Sequence, residues 1–281
     1  MYEAYYGLRE KPFSILPDPE IIYWGPKHRL AYAMLEYGVM NSAGFTVITG
    51  EIGAGKTTLI RRLLTRLDSS INVGIISNTP RGRKELLQWI MMSLNEPFDE
   101  KYSKLFLKFQ KYLHTQHAEG RRTLVVVDEA QNLDPDALES LRMLSNINAD
   151  KQQYLQLILV GQPQLKSLLC SPKLVQFAQR ISSDFHLKPL SASEVPEYID
   201  FRLKAVGARS SLFLNEASAA VARASAGIPR TINILCDTAL VYGFATQSNS
   251  ITKSIVDLVI ADKRDFGIFN QSGNALIEHG Q

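Results

Sequence analysis

Residues 50–57 form a glycine-rich loop, Gly-Glu-Ile-Gly-Ala-Gly-Lys-Thr, with the spacing G-x-x-x-x-G-K-S/T. The preceding residues 45–49 form a β-branched run typical of a buried strand, and residues 58–64 have the apolar spacing of a helix. This order directs successive backbone N–H groups and a helix N-terminus at one point, which suits a phosphate group. A chance match in a glycine-containing turn is the alternative, but the agreement of all three elements favours a nucleoside triphosphate site.

Each position of this loop has an expected role. Lys56 would reach the β- and γ-phosphates, and the hydroxyl of Thr57 would ligate Mg²⁺. The predicted nucleotide contacts are Gly50, Glu51, Ile52, Gly53, Ala54, Gly55, Lys56, Thr57 and Thr58.

A second motif bears on hydrolysis. The apolar run 124–127 is followed by two carboxylates, Asp128 and Glu129. At the end of a strand, Asp128 can hold Mg²⁺ through its water shell, and Glu129 can orient and polarise an attacking water. The alternative is a strand that ends in a solvated acidic turn. Because a phosphate loop lies upstream, the pair favours nucleotide hydrolysis over binding alone.

Three further polar residues are candidates for the site. Gln162 follows the apolar run 157–161 and can sense the γ-phosphate, although many ordinary loops begin with glutamine. Arg180 precedes a predicted strand and can reach the γ-phosphate of a neighbouring subunit; the alternative is a surface ion pair. Arg230 begins a predicted helix and can contact nucleotide from a second domain. As an ordinary first-turn residue it would be disfavoured by the helix dipole.

The pattern of apolar residues predicts an α/β fold. Continuous apolar runs alternate with helical segments from 44 to 190, which is typical of a doubly wound parallel sheet covered on both faces. The predicted strands are Phe45–Thr49, Val73–Ser77, Thr123–Val127, Leu155–Val160 and Asp184–Leu187.

Outside this region the chain is predicted to be mostly helical. Residues 1–43 form an N-terminal extension with four prolines and one helix, Lys27–Met40; residues 191–264 form a small helical domain; and residues 265–281 form a flexible tail. The helical domain is predicted to contain four helices, which begin at the Ser191/Glu194 capping box, at a cap on Asn215, at Pro229 and at a cap on Thr252, and end near Ala205, Gly227, Thr246 and Asp262.

Composition excludes several classes of protein. No apolar run approaches the roughly 18 residues of a membrane-spanning helix, and the N-terminus lacks the pattern of a secretory signal. Cys170 and Cys236 show no metal-binding spacing, which fits a reducing cytoplasm. The net charge of +3 is compatible with nucleic acid or acidic lipid but too small to argue for either.

With these motifs in place, the chain resembles the AAA+ ATPases, and within them the ExeA/GspA type, named for general secretion pathway protein A. The likeness extends from residue 1 to about residue 262. The matching segments are Met1-Tyr2-Glu3, Tyr6-Gly7-Leu8 in place of the family's Phe-Gly-Leu, Phe13-Ser14, Pro17-Asp18-Pro19, Gly50–Thr58, Asp128-Glu129-Ala130-Gln131, Gly161-Gln162-Pro163, Gln179-Arg180-Ile181 and Gly227–Asn233.

The resemblance implies a P-loop AAA+ core followed by a small α-helical lid. It implies hydrolysis of ATP with Mg²⁺ to ADP and phosphate, in a homo-oligomeric ring or filament. Asp128 and Glu129 would form the Walker B motif, Gln162 would be sensor 1, Arg180 the arginine finger and Arg230 sensor 2.

The resemblance leaves two kinds of partner open. Secretion members of the family continue into a membrane helix and help to assemble a secretion complex. This chain contains no membrane segment, so we expect a cytoplasmic protein, at the inner face of the inner membrane if the natural chain continues. Related ATPases of the TnsC/MuB/TniB kind assemble on duplex DNA and regulate transposition with a transposase.

Basic residues give limited sequence support for DNA binding. One face of a predicted helix carries Lys101, Lys104, Lys108 and Lys111, and a second cluster comprises Arg81, Arg83 and Lys84. These residues can contact DNA phosphates inside a ring. A solvated lysine face over a packed helix is the alternative, and the spacing favours it.

Overall fold

The computed structural model describes residues 1–16, 18, 20–41, 43–77, 82–98, 101–148 and 153–266. They divide into two compact units. The α/β unit comprises Pro26–Ile52 and Lys56–Lys188, and the helical unit comprises Met1–Gly25, Gly53–Gly55 and the chain from Pro189 onward. Pro17, Pro19, Arg81 and the tail from 267 to 281 lie outside the described residues. The domain boundaries given above stay predictions.

The α/β unit is built on a five-stranded sheet in which every strand pair is parallel. The strands are β1 (Phe45–Gly50), β2 (Ile71–Ile76), β3 (Arg122–Val127), β4 (Leu155–Gly161) and β5 (Ile181–Leu187). Their order is β2-β3-β4-β1-β5. The chain leaves β1 toward one edge and β4 toward the other, so right-handed crossovers place helices on opposite faces. The predicted doubly wound α/β class is confirmed.

The strand limits differ most at the edges of the sheet. All residues of β1 and β4 are buried, and the sequence located these strands to within one residue. The edge strand β5 begins at Ile181 instead of Asp184, and β2 runs from Ile71 to Ile76 instead of Val73 to Ser77. Both edge strands mix buried and exposed residues, which weakens the apolar run on which the prediction rested.

Helices account for most of the remaining described residues. Some begin at recognisable signals: Asp134 caps α6 by accepting a hydrogen bond from the N–H of Ala137 at 2.7 Å, and Thr252 accepts one from Ile255 at 3.4 Å before α12. The helices are α1 (Tyr2–Tyr5), α2 (Pro26–Met40), α3 (Lys56–Leu64), α4 (Gly82–Ser93), α5 (Tyr102–Ala118), α6 (Pro135–Ser145), α7 (Pro163–Leu169), α8 (Val175–Ala178), α9 (Glu194–Ala205), α10 (Asn215–Ser225), α11 (Pro229–Ala245) and α12 (Lys253–Phe266), with 3-10 turns at Ala130–Asn132 and Pro172–Leu174.

The four helices predicted after residue 191 are all present, with differences at their ends. Asn215 is the first helical residue rather than the cap, because Leu214 takes the N-cap position and provides no side-chain hydrogen bond. The fourth helix continues to Phe266 instead of ending near Asp262. At the first helix only one half of the predicted capping box is present: the Glu194 carboxylate accepts a hydrogen bond from the N–H of Ser191 at 2.8 Å. Ser193 takes the N-cap position there and provides no side-chain hydrogen bond.

The N-terminal residues pack into the helical unit. Tyr2, Leu8 and Phe13 are buried in its apolar core. The side chain of Arg202 donates to the carbonyl of Pro12 at 2.7 Å, and Asn233 donates to the carbonyl of Ser14 at 3.0 Å. These contacts join residues 190 and 219 positions apart, so no local sequence pattern indicates them.

A glycine before α11 offers a test of packing in the helical unit. Gly227 has φ of 74°, and a Cβ there would lie 1.9 Å from the carbonyl oxygen of Leu190. Gly7 has a similar φ of 68° with open space around it. We expect Gly7→Ala to cost about 1 kcal/mol through backbone strain alone, and Gly227→Ala to cost about 3 kcal/mol or more because a backbone clash is added.

The measurement is the free energy of unfolding of the helical unit, which is obtained from hydrogen exchange of its slowest-exchanging backbone amides. Gly7→Ala is the matched control, since it imposes the same backbone strain without the clash. Equal destabilisation by the two substitutions would contradict the packing described around Gly227.

Candidate functional site

The sheet brings together the segments that carry the predicted site. Thr49 of β1 pairs with Gly161 of β4, and Val127 of β3 pairs with Leu159 of β4. The carboxyl ends of these three parallel strands therefore lie side by side. In doubly wound sheets this edge, where the crossovers diverge, is where ligands bind.

The glycine-rich loop has the backbone shape that phosphate binding requires. Gly53 and Gly55 have φ of 80° and 99°, a conformation that residues with a Cβ rarely adopt. Lys56 begins α3, and its Nζ donates to the carbonyls of Gly50 at 2.8 Å and Glu51 at 3.0 Å. The lysine therefore lies across the loop to which it belongs.

Lys56 is buried next to opposite charges. Burial lowers the pKa of its ammonium group, while the nearby carboxylates of Glu129, Asp128 and Glu51 act to raise it. A cation held in this way by the carbonyl oxygens of its own loop is suited to an anionic ligand.

The two residues predicted to hold Mg²⁺ are in direct contact. The hydroxyl of Thr57 donates to Oδ2 of Asp128 at 3.1 Å, and Oδ1 of Asp128 accepts from the backbone N–H of Glu129 at 2.9 Å. Mg²⁺ is commonly bound by one or two carboxylates together with waters and substrate phosphates. The described residues contain no group of three or more histidine, cysteine or acidic side chains that fits a metal. One hydroxyl and one carboxylate therefore fit Mg²⁺ shared with a nucleotide.

Glu129 is held in an unusual conformation by two glutamines. Its φ of 51° is left-handed, which is uncommon for residues other than glycine. Its Oε2 accepts hydrogen bonds from Gln131 at 2.7 Å and from Gln162 at 3.1 Å. Partial burial acts to raise the pKa of Glu129, but these hydrogen bonds and the charge of Lys56 outweigh it and lower the pKa. The carboxylate is therefore ionised and able to accept a proton.

Gln131 is a site residue that the sequence interpretation missed. It appears there only as part of the matched segment 128–131. In the structure, its side chain contacts both Glu129 and the backbone N–H of Gln162, the latter at 2.9 Å. The sequence shows only that Gln131 lies two residues after Glu129. The left-handed conformation of Glu129 is what brings the two side chains into hydrogen-bond contact.

The two candidate arginines have different environments. Arg180 is exposed after α8, and its Nη1 donates to the hydroxyl of Ser145 on α6 at 3.1 Å. Arg230 is exposed in the first turn of α11. Its backbone N–H donates to the carbonyl of Gly53 at 3.2 Å, and a Cβ on Gly53 would lie 2.5 Å from the Cβ of Arg230. Gly53 and Arg230 belong to the same compact unit, so this contact lies within the helical unit.

Comparisons with known proteins agree with this geometry. A family model described as an AAA domain matches residues 39–169. General secretion pathway protein A of Aeromonas hydrophila is 40% identical over 278 residues, which is 97% of this chain. The resemblance to the AAA+ ATPases of the ExeA/GspA type is thereby confirmed. This chain spans 51% of the length of that relative.

Solved structures with the same fold include two archaeal proteins. The Aeropyrum pernix ORC2 protein, in ADPNP and ADP complexes, has a TM-score of 0.68 with 16% identity, covering 90% of this chain and 71% of that one. The Aeropyrum pernix ORC1 protein in complex with DNA has a TM-score of 0.65 with 15% identity, covering 91% and 70%. At these identities the likeness establishes the fold, whereas the roles of individual site residues in this chain stay predictions.

The surface outside the site is basic on α5. Lys101, just before the helix, and Lys104, Lys108 and Lys111 within it are exposed, whereas Leu105, Phe109 and Leu113 on the other face are buried. In the second basic cluster, Arg83 and Lys84 are exposed and Arg81 lies outside the described residues. Within the part of the chain that the structure describes, none of the helices is long and apolar enough to cross a membrane.

Proposed function

We propose that this protein binds ATP with Mg²⁺ and hydrolyses it to ADP and phosphate. The observation that carries the proposal is the group of side chains at the ends of β1, β3 and β4: Lys56 across the glycine-rich loop, Thr57 bonded to Asp128, and Glu129 held by hydrogen bonds from two glutamines. The ADPNP and ADP complexes of the structurally similar ORC2 protein support a nucleotide as the ligand.

Each residue of this group has one task in the proposed reaction. Lys56 exchanges its hydrogen bonds to Gly50 and Glu51 for bonds to phosphate oxygens and compensates their charge. Thr57 and Asp128 would hold Mg²⁺, which supplies positive charge to neutralise the phosphates when it is bound. Glu129 orients a water and accepts its proton as the oxygen attacks phosphorus. Gln162, whose side chain is bonded to Glu129 at the end of β4, senses the γ-phosphate in this proposal.

The proposal is tested by phosphate release from Mg·ATP, measured over a range of protein concentrations because the family implies assembly. Turnover that requires Mg²⁺ supports it. Absence of phosphate release at every protein concentration would refute hydrolysis and leave nucleotide binding as a separate question.

Replacing Lys56 with alanine tests that binding. We expect the affinity for ATP to fall by about 100-fold or more, because removing a buried, hydrogen-bonded charge that faces an anion costs about 3 kcal/mol. The measurement is a calorimetric titration with a nonhydrolysable ATP analogue.

The control for Lys56→Ala is Lys166→Ala, which removes an exposed lysine from α7 of the same unit. Thermal unfolding of both variants shows whether the fold survives. An unchanged Kd in folded Lys56→Ala would contradict the placement of phosphate against this lysine.

The biological setting proposed for this ATPase is the assembly of a secretion complex, at the cytoplasmic face of the inner membrane. The name of the Aeromonas hydrophila relative supports this role, and the match covers about half of that relative. Self-association controlled by nucleotide is part of the proposal. Light scattering with ADP, with ATP and with a nonhydrolysable analogue tests it, since an assembly state independent of nucleotide would count against it.

A second candidate function is ATP-controlled assembly on duplex DNA during transposition. The exposed Lys101 and the three exposed lysines of α5 favour it, and the ORC1 protein of similar fold was solved in complex with DNA. Binding through phosphate contacts weakens steeply as salt rises. ATP-dependent binding to duplex DNA with a steep salt dependence would support this function, and salt-insensitive or ATP-independent binding would count against it.

A further inference from the structure

Three residues at the ends of β3 and β4 form a closed triangle of hydrogen bonds. The amide nitrogen of Gln131 donates to Oε2 of Glu129 at 2.7 Å, and the amide oxygen of Gln131 accepts from the backbone N–H of Gln162 at 2.9 Å. The amide nitrogen of Gln162 completes the triangle by donating to the same Oε2 of Glu129 at 3.1 Å. Gln131 thus connects the proposed base to the residue after β4 by both ends of one side chain.

An uncharged amide suits position 131 because one end donates and the other accepts. A glutamate there would place a second negative charge against Glu129. An apolar residue would leave the backbone N–H of Gln162 without this acceptor and Glu129 with only one of its two side-chain hydrogen bonds. The orientation of the amide follows from the same contacts, since the flipped form would face oxygen with oxygen and N–H with N–H.

The surrounding backbone fits this amide closely. Gln131 is the middle residue of the 3-10 turn Ala130–Asn132, directly after the left-handed Glu129. A Cβ on Gly161 would lie 2.9 Å from the amide oxygen of Gln131, so glycine at 161 leaves the space that the side chain needs. Strained residues persist where their surroundings determine them strongly, and such residues cluster at functional sites.

We propose that Gln131 is a positioning residue for ATP hydrolysis, which fixes the carboxylate of Glu129 and the side chain of Gln162 relative to each other. Water activation at Glu129 is thereby linked to the residue that faces the γ-phosphate. Gln131 itself touches neither water nor nucleotide in this scheme. The inference rests on the proposed function and names a residue that the function alone does not require.

The first test uses Gln131→Met, which keeps the length of the side chain and removes the amide. We expect kcat to fall about 10- to 100-fold, the usual effect of losing a residue that orients a functional group. The Kd for ATP should stay within about twofold, because Lys56 and Thr57 keep their own partners. Gln164→Met makes the same chemical change at an exposed position of α7 and serves as the control with unchanged kcat.

The second test separates the two ends of the amide. Gln131→Glu keeps an oxygen for the N–H of Gln162 but loses the donor to Glu129. NMR can monitor hydrogen exchange at the backbone N–H of Gln162. We expect this exchange to be about tenfold or more faster than wild type in Gln131→Met and close to wild type in Gln131→Glu. Both variants should show the lowered kcat. Gln131→Glu is nearly isosteric and carries the kinetic test if Gln131→Met does not fold.

Several results would overturn the inference. Folded Gln131→Met with wild-type kcat would remove the positioning role, and a parallel loss of ATP affinity and thermal stability would indicate a structural role instead. Exchange at Gln162 that is as fast in wild type as in Gln131→Met would refute the triangle itself. That exchange is measured without nucleotide, so its failure is distinguishable from failure of the proposed ATPase activity, which shows as absent phosphate release in wild type.

Discussion

Replacing Glu129 with glutamine is expected to lower kcat for ATP hydrolysis by about 10²- to 10⁴-fold, the range found when a general base is removed. Glutamine has nearly the same shape, and its oxygen can still accept the hydrogen bonds from Gln131 and Gln162. It cannot accept a proton from water at neutral pH. The chemical step should therefore fail while the architecture of the site survives.

Binding of ATP should survive this substitution or become tighter. Lys56, Thr57 and Asp128 keep their contacts, and one negative charge near the phosphates is removed. The measurements are single-turnover hydrolysis and the Kd for ATP on the same preparation. Glu36→Gln on α2 of the same unit is the control. Hydrolysis by Glu129→Gln at the wild-type rate would exclude Glu129 as the base.

The sequence was sufficient to locate the central strands and the residues that follow them. β1 and β4 are buried along their whole length, so each leaves a continuous apolar run that needs no tertiary information. The residues predicted to act together, Lys56, Thr57, Asp128, Glu129 and Gln162, follow three such runs. Parallel strands that lie side by side bring their carboxyl ends to the same edge of the sheet. This is why residues that the sequence predicted to act together lie close together in the structure.

The role of Gln131 depends on information that a sequence pattern lacks. It requires Glu129 in a left-handed conformation, and it requires β3 and β4 to be neighbours, so that the N–H of Gln162 comes within reach. Apolar periodicity specifies neither the sign of one φ angle nor the order of strands. The packing of the N-terminal residues into the helical unit was missed for a related reason, because contacts such as Arg202 with Pro12 leave no local pattern.

Replacing Arg180 with alanine is expected to lower kcat by about 10³-fold or more, if this arginine acts as a finger toward a neighbouring subunit. The exposed guanidinium is bonded to Ser145, whose hydroxyl also donates to the carbonyl of Arg142 at 2.7 Å. Ser145 therefore keeps a partner in the variant, and the local fold should survive. Arg223→Ala, which removes an exposed arginine from α10, is the control for loss of charge.

Mixing two inactive variants distinguishes a finger from an ordinary surface arginine. A subunit with Glu129→Gln lacks the base but keeps Arg180, whereas a subunit with Arg180→Ala keeps the base. When the two variants associate, some interfaces place Glu129 of an Arg180→Ala subunit next to Arg180 of a Glu129→Gln subunit. A complete site therefore forms only in the mixture. We expect the mixture to recover a measurable part of wild-type turnover, and to recover it only at concentrations at which subunits associate. Because neither variant alone can form a complete site, a mixture no more active than its components would place the function of Arg180 within its own subunit or exclude it from catalysis.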